Sequence, residues 1–150
     1  MGHTNDEMLE LFEAALQQMQ TPEEPKLLYT PIIYSMSGGG KRLRPVLLLL
    51  TAEAFGGDVA KAMPAALAVE VFHNFTLQHD DIMDNADVRR GKQTVHKRWD
   101  ANTAILSGDV MLTLADVYMS RVDDEYFREV MSTFHRTSIE IAEGQQYDMD

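Results

Sequence analysis

A chain of 150 residues with 45% hydrophobic content can bury a core of ordinary size, which excludes a purely disordered tail. Cysteine is absent, so disulfides, thiolate metal sites and thiol redox chemistry are excluded, and any metal must take oxygen or imidazole ligands. The formal net charge of −11 repels nucleic acid and anionic membranes in general, so no nucleic-acid partner is expected and a polyanionic ligand needs a local inversion of sign.

Near the start, Met8, Leu9, Phe12, Ala15, Leu16 and Met19 recur at helical spacing after polar Thr4 to Asp6, which predicts an amphipathic helix capped there. That acidic opening is unlike a signal peptide, and the longest apolar run, Val46 to Ala52, is far short of a bilayer span. A cytoplasmic protein without stable membrane insertion is expected. Pro22 and Pro25 suit a linker or the first turn of a second helix carrying Leu27, Leu28, Ile32 and Ile33, which Pro31 limits or kinks. Ser37 to Gly40 reads as a flexible loop, and Pro45 is suited to open a third helix that runs to Phe55 and stops at Gly56-Gly57.

A long helix is predicted from about Lys61 to Asp84, with Pro64 in its first turn and Met63, Leu67, Val71 and Leu77 at helical spacing. Asn85 to Thr94 reads as a polar loop, Val95 to about Ser120 as one or two helices around Gly108, and Asp123-Asp124 as the cap of a last helix from Glu125 to about Asp150. No alternation persists long enough for a strand, so the expected class is all-α. Tyr147 to Asp150 carries no helix stop signal, and the fold is expected to continue past it.

The acidic cluster Asp80-Asp81-Ile82-Met83-Asp84 ends the long helix. Residues three and four apart share a helix face, so Asp80, Asp81 and Asp84 are expected to crowd one small surface. Mutual repulsion there is relieved by a hard divalent cation, with Mg²⁺ favoured where a diphosphate completes the coordination. A solvated acidic helix end is the other reading, although acid at a C-terminal end opposes the helix dipole. The second constellation is Gly38-Gly39-Gly40-Lys41-Arg42-Leu43-Arg44-Pro45. Glycines let backbone N–H groups approach an anion, Lys supplies a point charge and Arg a bidentate fork. The spacing is not that of a Walker loop, and a solvated basic turn is the alternative. Arg89-Arg90 adds further positive charge beside the carboxylates. Together these features describe a pocket with two phosphate subsites, one built on metal and one on cations.

With these motifs in this order, the chain resembles the polyprenyl synthetase family, the trans-prenyltransferases that make farnesyl and geranylgeranyl diphosphates. The resemblance runs through Gly39-Gly40-Lys41-Arg42-Leu43-Arg44-Pro45, Glu70 to Asp84, Arg89-Arg90-Gly91 and Gly144-Gln145-Gln146-Tyr147-Asp148. It implies an antiparallel helical bundle around a central active-site cavity, the isoprenoid synthase type of fold. Residues 1–150 would be the N-terminal part of a single prenyltransferase domain that continues beyond them. It also implies a Mg²⁺-dependent, head-to-tail condensation of isopentenyl diphosphate with an allylic diphosphate, whether dimethylallyl, geranyl or farnesyl. A homodimer is expected by analogy.

Residue by residue, Asp80 and Asp84 resemble the carboxylates that bind Mg²⁺ bridging the allylic diphosphate, with Asp81 supporting them. Arg89 resembles the residue contacting that diphosphate. Lys41, Arg44, His73 and Arg90 resemble the subsite for isopentenyl diphosphate, and Gln145 and Asp148 match a Gly-Gln-x-x-Asp pattern lining the reacting end. His73 lies seven residues before Asp80, two turns along the same face, which points it into the same cavity; a lone helical His is otherwise more often packed or solvated. Phe75, five residues before Asp80 and followed by small Thr76, resembles a chain-length floor of the geranylgeranyl type. A short-chain product is expected, geranylgeranyl ahead of farnesyl.

Nothing after Asp84 supplies the family's second aspartate-rich motif or its catalytic Lys and Thr, so these residues are expected to be inactive alone. The alternative is a noncatalytic regulatory subunit that binds diphosphate and metal without turnover, although such a subunit is expected to lose Asp80, Asp84, Lys41 or Arg44. A terpene cyclase needs no second diphosphate site, and the glycine-basic loop argues against it.

Overall fold

A computed structural model describes residues 2–150. The elements in chain order are α1 (Asn5–Gln17), α2 (Lys26–Met36), α3 (Leu43–Ala54), α4 (Val59–Met83), β1 (Val88–Arg89), β2 (Lys92–Gln93), α5 (Val95–Arg98), α6 (Ala101–Met119) and α7 (Asp124–Met149). The expected all-α bundle is what forms. Among the described residues no helix is long and apolar enough to cross a membrane.

α4 is the central element. It packs most extensively on α6 and next on α3, while α1 lies across α3 and α4, and α2 lies against α6. Its buried stretch Ala65, Ala66, Leu67 and Ala68 is mostly alanine, so neighbouring helices can approach closely, and Val71 and Phe72 continue the same core. α1 starts where the polar cluster predicts. Thr4 Oγ1 accepts from the Glu7 amide at 3.2 Å and Glu7 Oε1 accepts from the Thr4 amide at 2.9 Å, a reciprocal cap that satisfies two orphan donors. Its buried pair Met8 and Phe12, one turn apart, faces the core.

Three boundaries differ from the sequence reading, each for a local reason. α3 begins at Leu43, because Arg42 takes a left-handed conformation (φ 51°) as its cap; Pro45 then falls in the first turn, where its missing N–H has no intrahelical role. α4 begins at Val59, because Asp58 caps it through the Ala60 amide at 2.9 Å, and Pro64 therefore sits in the second turn. The break between α5 and α6 lies at Trp99-Asp100, where Asp100 Oδ1 accepts from the Thr103 amide at 2.7 Å, and not at Gly108. Gly108 is instead a packing residue within α6: a Cβ there would lie 2.3 Å from His79 Nε2 on α4.

The segment read as a polar loop contains a small hairpin. Val88 pairs with Gln93 and Arg89 with Lys92, and the turn residues Arg90 and Gly91 both have positive φ, 52° and 76°. Two left-handed residues in a two-residue connection are the turn whose twist matches antiparallel strands. At two residues each, the strands are too short to leave an alternating pattern in the sequence. Phe134 is the one buried residue of α7; Ile139, Ile141, Tyr147 and Met149 along its second half are exposed.

Candidate active site

The second half of α4, the glycine loop between α2 and α3, and the β1–β2 hairpin come together and bring the predicted charged residues with them. Arg44 Nη1 donates to His73 Nε2 at 3.3 Å. An arginine can only donate, so this bond makes Nε2 an acceptor and places the imidazole proton on Nδ1. His73 is held at a pKa of about 4 by burial first, then by the positive charges of Arg44, Arg90 and Arg89. Of the three guanidiniums only Arg44 touches His73, the other two acting through their charge, and His73 is a neutral donor at physiological pH, not a cation.

Arg90 Nη1 also donates to the Gly39 carbonyl at 2.8 Å. Gly40 has φ 117°, a conformation that favours glycine, and a Cβ on it would lie 3.0 Å from Arg90 Cζ and press on that guanidinium. Lys41 and Arg44 are exposed beside this loop. Arg42 is not part of the cationic surface. Its side chain is 2% exposed, and it donates to Glu13 at 2.9 Å, to Glu70 at 3.1 Å and to the Met36 carbonyl at 2.7 Å. The basic run thus divides: Lys41 and Arg44 face solvent, and Arg42 ties α1, α2 and α4 beneath them.

The three carboxylates divide in the same way, which corrects the expectation that all share one surface. Asp81 turns inward, its side chain 8% exposed, and both of its oxygens accept from Arg89, from Nε and Nη2 at 2.8 Å each. This fork holds the Arg89 guanidinium even more firmly protonated than usual. Asp80 and Asp84 lie one turn apart on the outer face, Asp84 as the last-turn cap of α4. Burial, followed by the charge of Asp84, pushes the Asp80 carboxyl above the usual range, and Arg89 partly offsets this.

Among the described residues no group of three or more acidic, His or Cys side chains is arranged to hold a metal by itself. The two outward carboxylates nonetheless fit Mg²⁺, which is typically bound through one or two carboxylates, with substrate phosphates and waters completing its octahedron. The fit is to a metal arriving with a diphosphate and not to a closed protein cage.

Several residues that support this site left no signal in the sequence reading. Gln78, one turn before Asp81, is buried; its Nε2 donates to the Ala104 carbonyl and to Ser107 Oγ, both at 2.8 Å, and its Oε1 accepts from Ser35 Oγ at 2.6 Å. That amide joins α2, α4 and α6 one turn from Asp81, in the wall of the same cleft. A narrow cleft runs between Gly38, Asn74, Gln78, Asp81, Arg89 and Arg90. Lys92 and Tyr34 also border it, and neither belongs to a recognisable motif.

Below His73, an apolar groove between α4 and α7 is lined by Val69, Phe72, Thr76, Phe134 and Ile141, with Arg44 and His73 at its mouth. Phe72 meets Phe134 edge-on at 5.5 Å and Phe75 at 5.6 Å, and Phe75 meets the His79 ring at 4.8 Å. Phe75 is half-buried on the flank towards α6, outside the groove lining, as one rung of this aromatic ladder. Gln145 and Asp148 lie far along α7, half-buried and exposed respectively, and neither lines the groove or joins the α4 carboxylates in a metal-holding group.

The sequence model of the Polyprenyl synthetase family matches residues 25–150. The chain is 45% identical over 140 residues to a geranylgeranyl diphosphate synthase of Methanosarcina mazei, covering 92% of this chain and 43% of that protein. It is 44% identical over 123 residues to a farnesyl diphosphate synthase of Geobacillus stearothermophilus, covering 80% of this chain and 41% of that protein. A crystal structure of a geranylgeranyl pyrophosphate synthase superposes with a TM-score of 0.96 at 50% identity, over 99% of this chain and 46% of that one. The chain spans less than half the length of each of these relatives.

Proposed function

The chain belongs to the polyprenyl synthetase family, and from that premise we propose that the intact protein condenses isopentenyl diphosphate head-to-tail with an allylic diphosphate to give a short-chain prenyl diphosphate. The observation that carries this reading is the division of charge. Two outward carboxylates, Asp80 and Asp84, flank in sequence the Asp81 that Arg89 grips, and two turns earlier on the same helix a neutral His73 meets Arg44 at 3.3 Å within the positive field of Arg90 and Arg89. Two diphosphates, one metal-bridged and one held by cations, need two such environments within one cavity. A terpene cyclase or a plain metal-binding module would need only the first.

Asp80 and Asp84 would hold Mg²⁺ together with the allylic diphosphate, and the ion when bound supplies the positive charge that neutralises the departing diphosphate. Asp81 acts through Arg89, fixing its fork so that the remaining N–H groups face that diphosphate. Lys41, Arg44 and Arg90 supply charge-assisted contacts to the diphosphate of isopentenyl diphosphate, and His73 adds its Nδ1 proton as a neutral donor. The bond between the allylic carbon and its diphosphate breaks first, the electron pair leaving with the diphosphate, and the double bond of isopentenyl diphosphate, held there, then attacks the allylic cation. A proton then passes to the released diphosphate. Gln145 and Asp148 are assigned to the reacting end by their match to the family pattern alone. Phe75, more than a turn deeper than Asp80 on α4, is assigned as the floor that stops the growing chain, with geranylgeranyl ahead of farnesyl as product. The same reading takes the intact protein as a cytoplasmic homodimer whose single catalytic domain extends past these residues.

The subsite assignment is tested by steady-state kinetics on the intact protein. Lys41→Ala and Arg44→Ala should raise KM for isopentenyl diphosphate by roughly tenfold or more, since each removes a charge-assisted contact. An equal rise in KM for the allylic substrate would show the two subsites to be wrongly assigned.

A further inference from the structure

We propose that Tyr34 is a positioning residue that clamps the β1–β2 hairpin, and with it Arg90, against the glycine loop, so that the cationic diphosphate subsite is formed before ligand arrives. The inference rests on the diphosphate reading of that subsite given above.

The hairpin cannot orient itself. Strands of two residues have no independent stability, so the direction of Arg90 must be imposed from outside. One arm is tied to α4 by the Asp81–Arg89 fork. The other arm is held by Tyr34. Its hydroxyl donates to the Gln93 carbonyl of β2 at 2.7 Å. Its ring carries the Lys92 ammonium at 4.3 Å and the Arg98 guanidinium at 4.6 Å from its centroid, and it meets Trp99 edge-on at 5.3 Å. Tyrosine combines a rigid ring that attracts cations with one directed donor, and each contact here uses one of those properties.

What makes this more than a packing contact is the position of Tyr34 in the chain. It lies in the last turn of α2, five residues before Gly39, so one short segment carries both the clamp and the loop. Arg90 then closes the circuit by donating to the Gly39 carbonyl at 2.8 Å. Loop, hairpin and α2 form a ring of contacts. Loss of the Tyr34 hydroxyl frees β2 and lets Arg90 swing away from the loop whose amides would share its anion.

The test is a calorimetric titration of the intact protein with inorganic diphosphate in EDTA, which keeps the metal-dependent carboxylate subsite out of the measurement. The parent, Tyr34→Phe, Arg90→Ala and the double variant are compared. Tyr34→Phe keeps the ring and loses one hydrogen bond, so the predicted loss of affinity is about fivefold. In the Arg90→Ala background the same change should cost less than about twofold, because the residue it positions is gone. Hydrogen exchange at the Arg89 and Lys92 amides should quicken in Tyr34→Phe while α4 amides stay protected. Unchanged affinity in Tyr34→Phe, full multiplication of the two losses, or exchange rising equally through α4 would each overturn the proposal. A parent that binds no diphosphate would instead overturn the subsite reading itself, and is recognised because the failure needs no variant.

Discussion

Arg89 grips Asp81 through Nε and Nη2, one nitrogen to each carboxylate oxygen at 2.8 Å, so the central aspartate of the cluster already has a partner. Asp80, its immediate neighbour, has no such partner and its carboxyl is raised by burial and by Asp84. Adjacent residues with opposite surroundings should respond differently to substitution. Asp80→Ala and Asp84→Ala in the intact protein should lower turnover by about two to three orders of magnitude, the scale of losing a group that stabilises developing charge. They should also raise the Mg²⁺ concentration needed for half-maximal rate. Asp81→Asn should leave that Mg²⁺ dependence unchanged and raise KM for the allylic substrate, through a loosened Arg89. A Mg²⁺ titration of the three variants separates the roles, and an Asp81→Asn curve shifted like that of Asp80→Ala would return Asp81 to the metal.

His73 offers a pH-dependent signature. Its ordinary pKa of 6.5 is lowered to about 4 in the folded protein. Above 6.5 the imidazole is neutral in both states, and its contribution is fully present. As pH falls from 6.5 towards 4, the unfolded chain takes up a proton that the folded chain does not, so stability declines across that window. His73→Gln, whose Oε1 can accept from Arg44 in place of Nε2, should abolish this component while keeping the fold. Denaturant melts of the two proteins at pH 7 and pH 5 check it: the parent should lose more stability than the variant. Equal losses would mean that His73 titrates normally.

Phe75 is one rung of a ladder of rings from Phe134 through Phe72 to His79. Truncating it removes the ring that backs Phe72, which lines the groove, without removing a charged side chain. Phe75→Ala in the intact protein should lengthen the product distribution while leaving KM for isopentenyl diphosphate within about twofold, because no diphosphate contact is lost. Chromatography of dephosphorylated products reads the outcome. An active variant with an unchanged product profile, set beside a lengthened one in Phe72→Ala, would move the floor to the groove wall.

The long helices were legible in the sequence because their apolar residues recur at helical spacing and because the polar Thr4 to Asp6 suits a cap, whereas the caps at Asp58 and Asp100, which set the starts of α4 and α6, were not read. The hairpin was not, since two-residue strands carry no periodicity; only the Arg90-Gly91 turn could have hinted at it. The carboxylates, glycines and surface cations were legible as types. Their partners were not. Nothing in the spacing of Lys41-Arg42-Leu43-Arg44 shows that a left-handed Arg42 buries its guanidinium on Glu70, or that Asp81 turns from Asp80 to meet Arg89. Such choices are made by tertiary contacts between residues far apart in the chain, as is the burial of Gln78 between Ser35 and Ser107.

The central claim is that the carboxylate end of α4 and the cationic subsite around Arg44 and His73 serve two different diphosphates in one condensation. The most direct measurement incubates the intact protein with Mg²⁺, isotopically labelled isopentenyl diphosphate and farnesyl diphosphate, then separates the dephosphorylated products. Label appearing in an alcohol one isoprene unit longer than farnesol, dependent on both substrates, strongly reduced in Asp80→Ala and reduced at low isopentenyl diphosphate in Arg44→Ala, is the predicted result. Binding of both diphosphates with no labelled product, or an unlabelled hydrocarbon formed from farnesyl diphosphate alone, would contradict it.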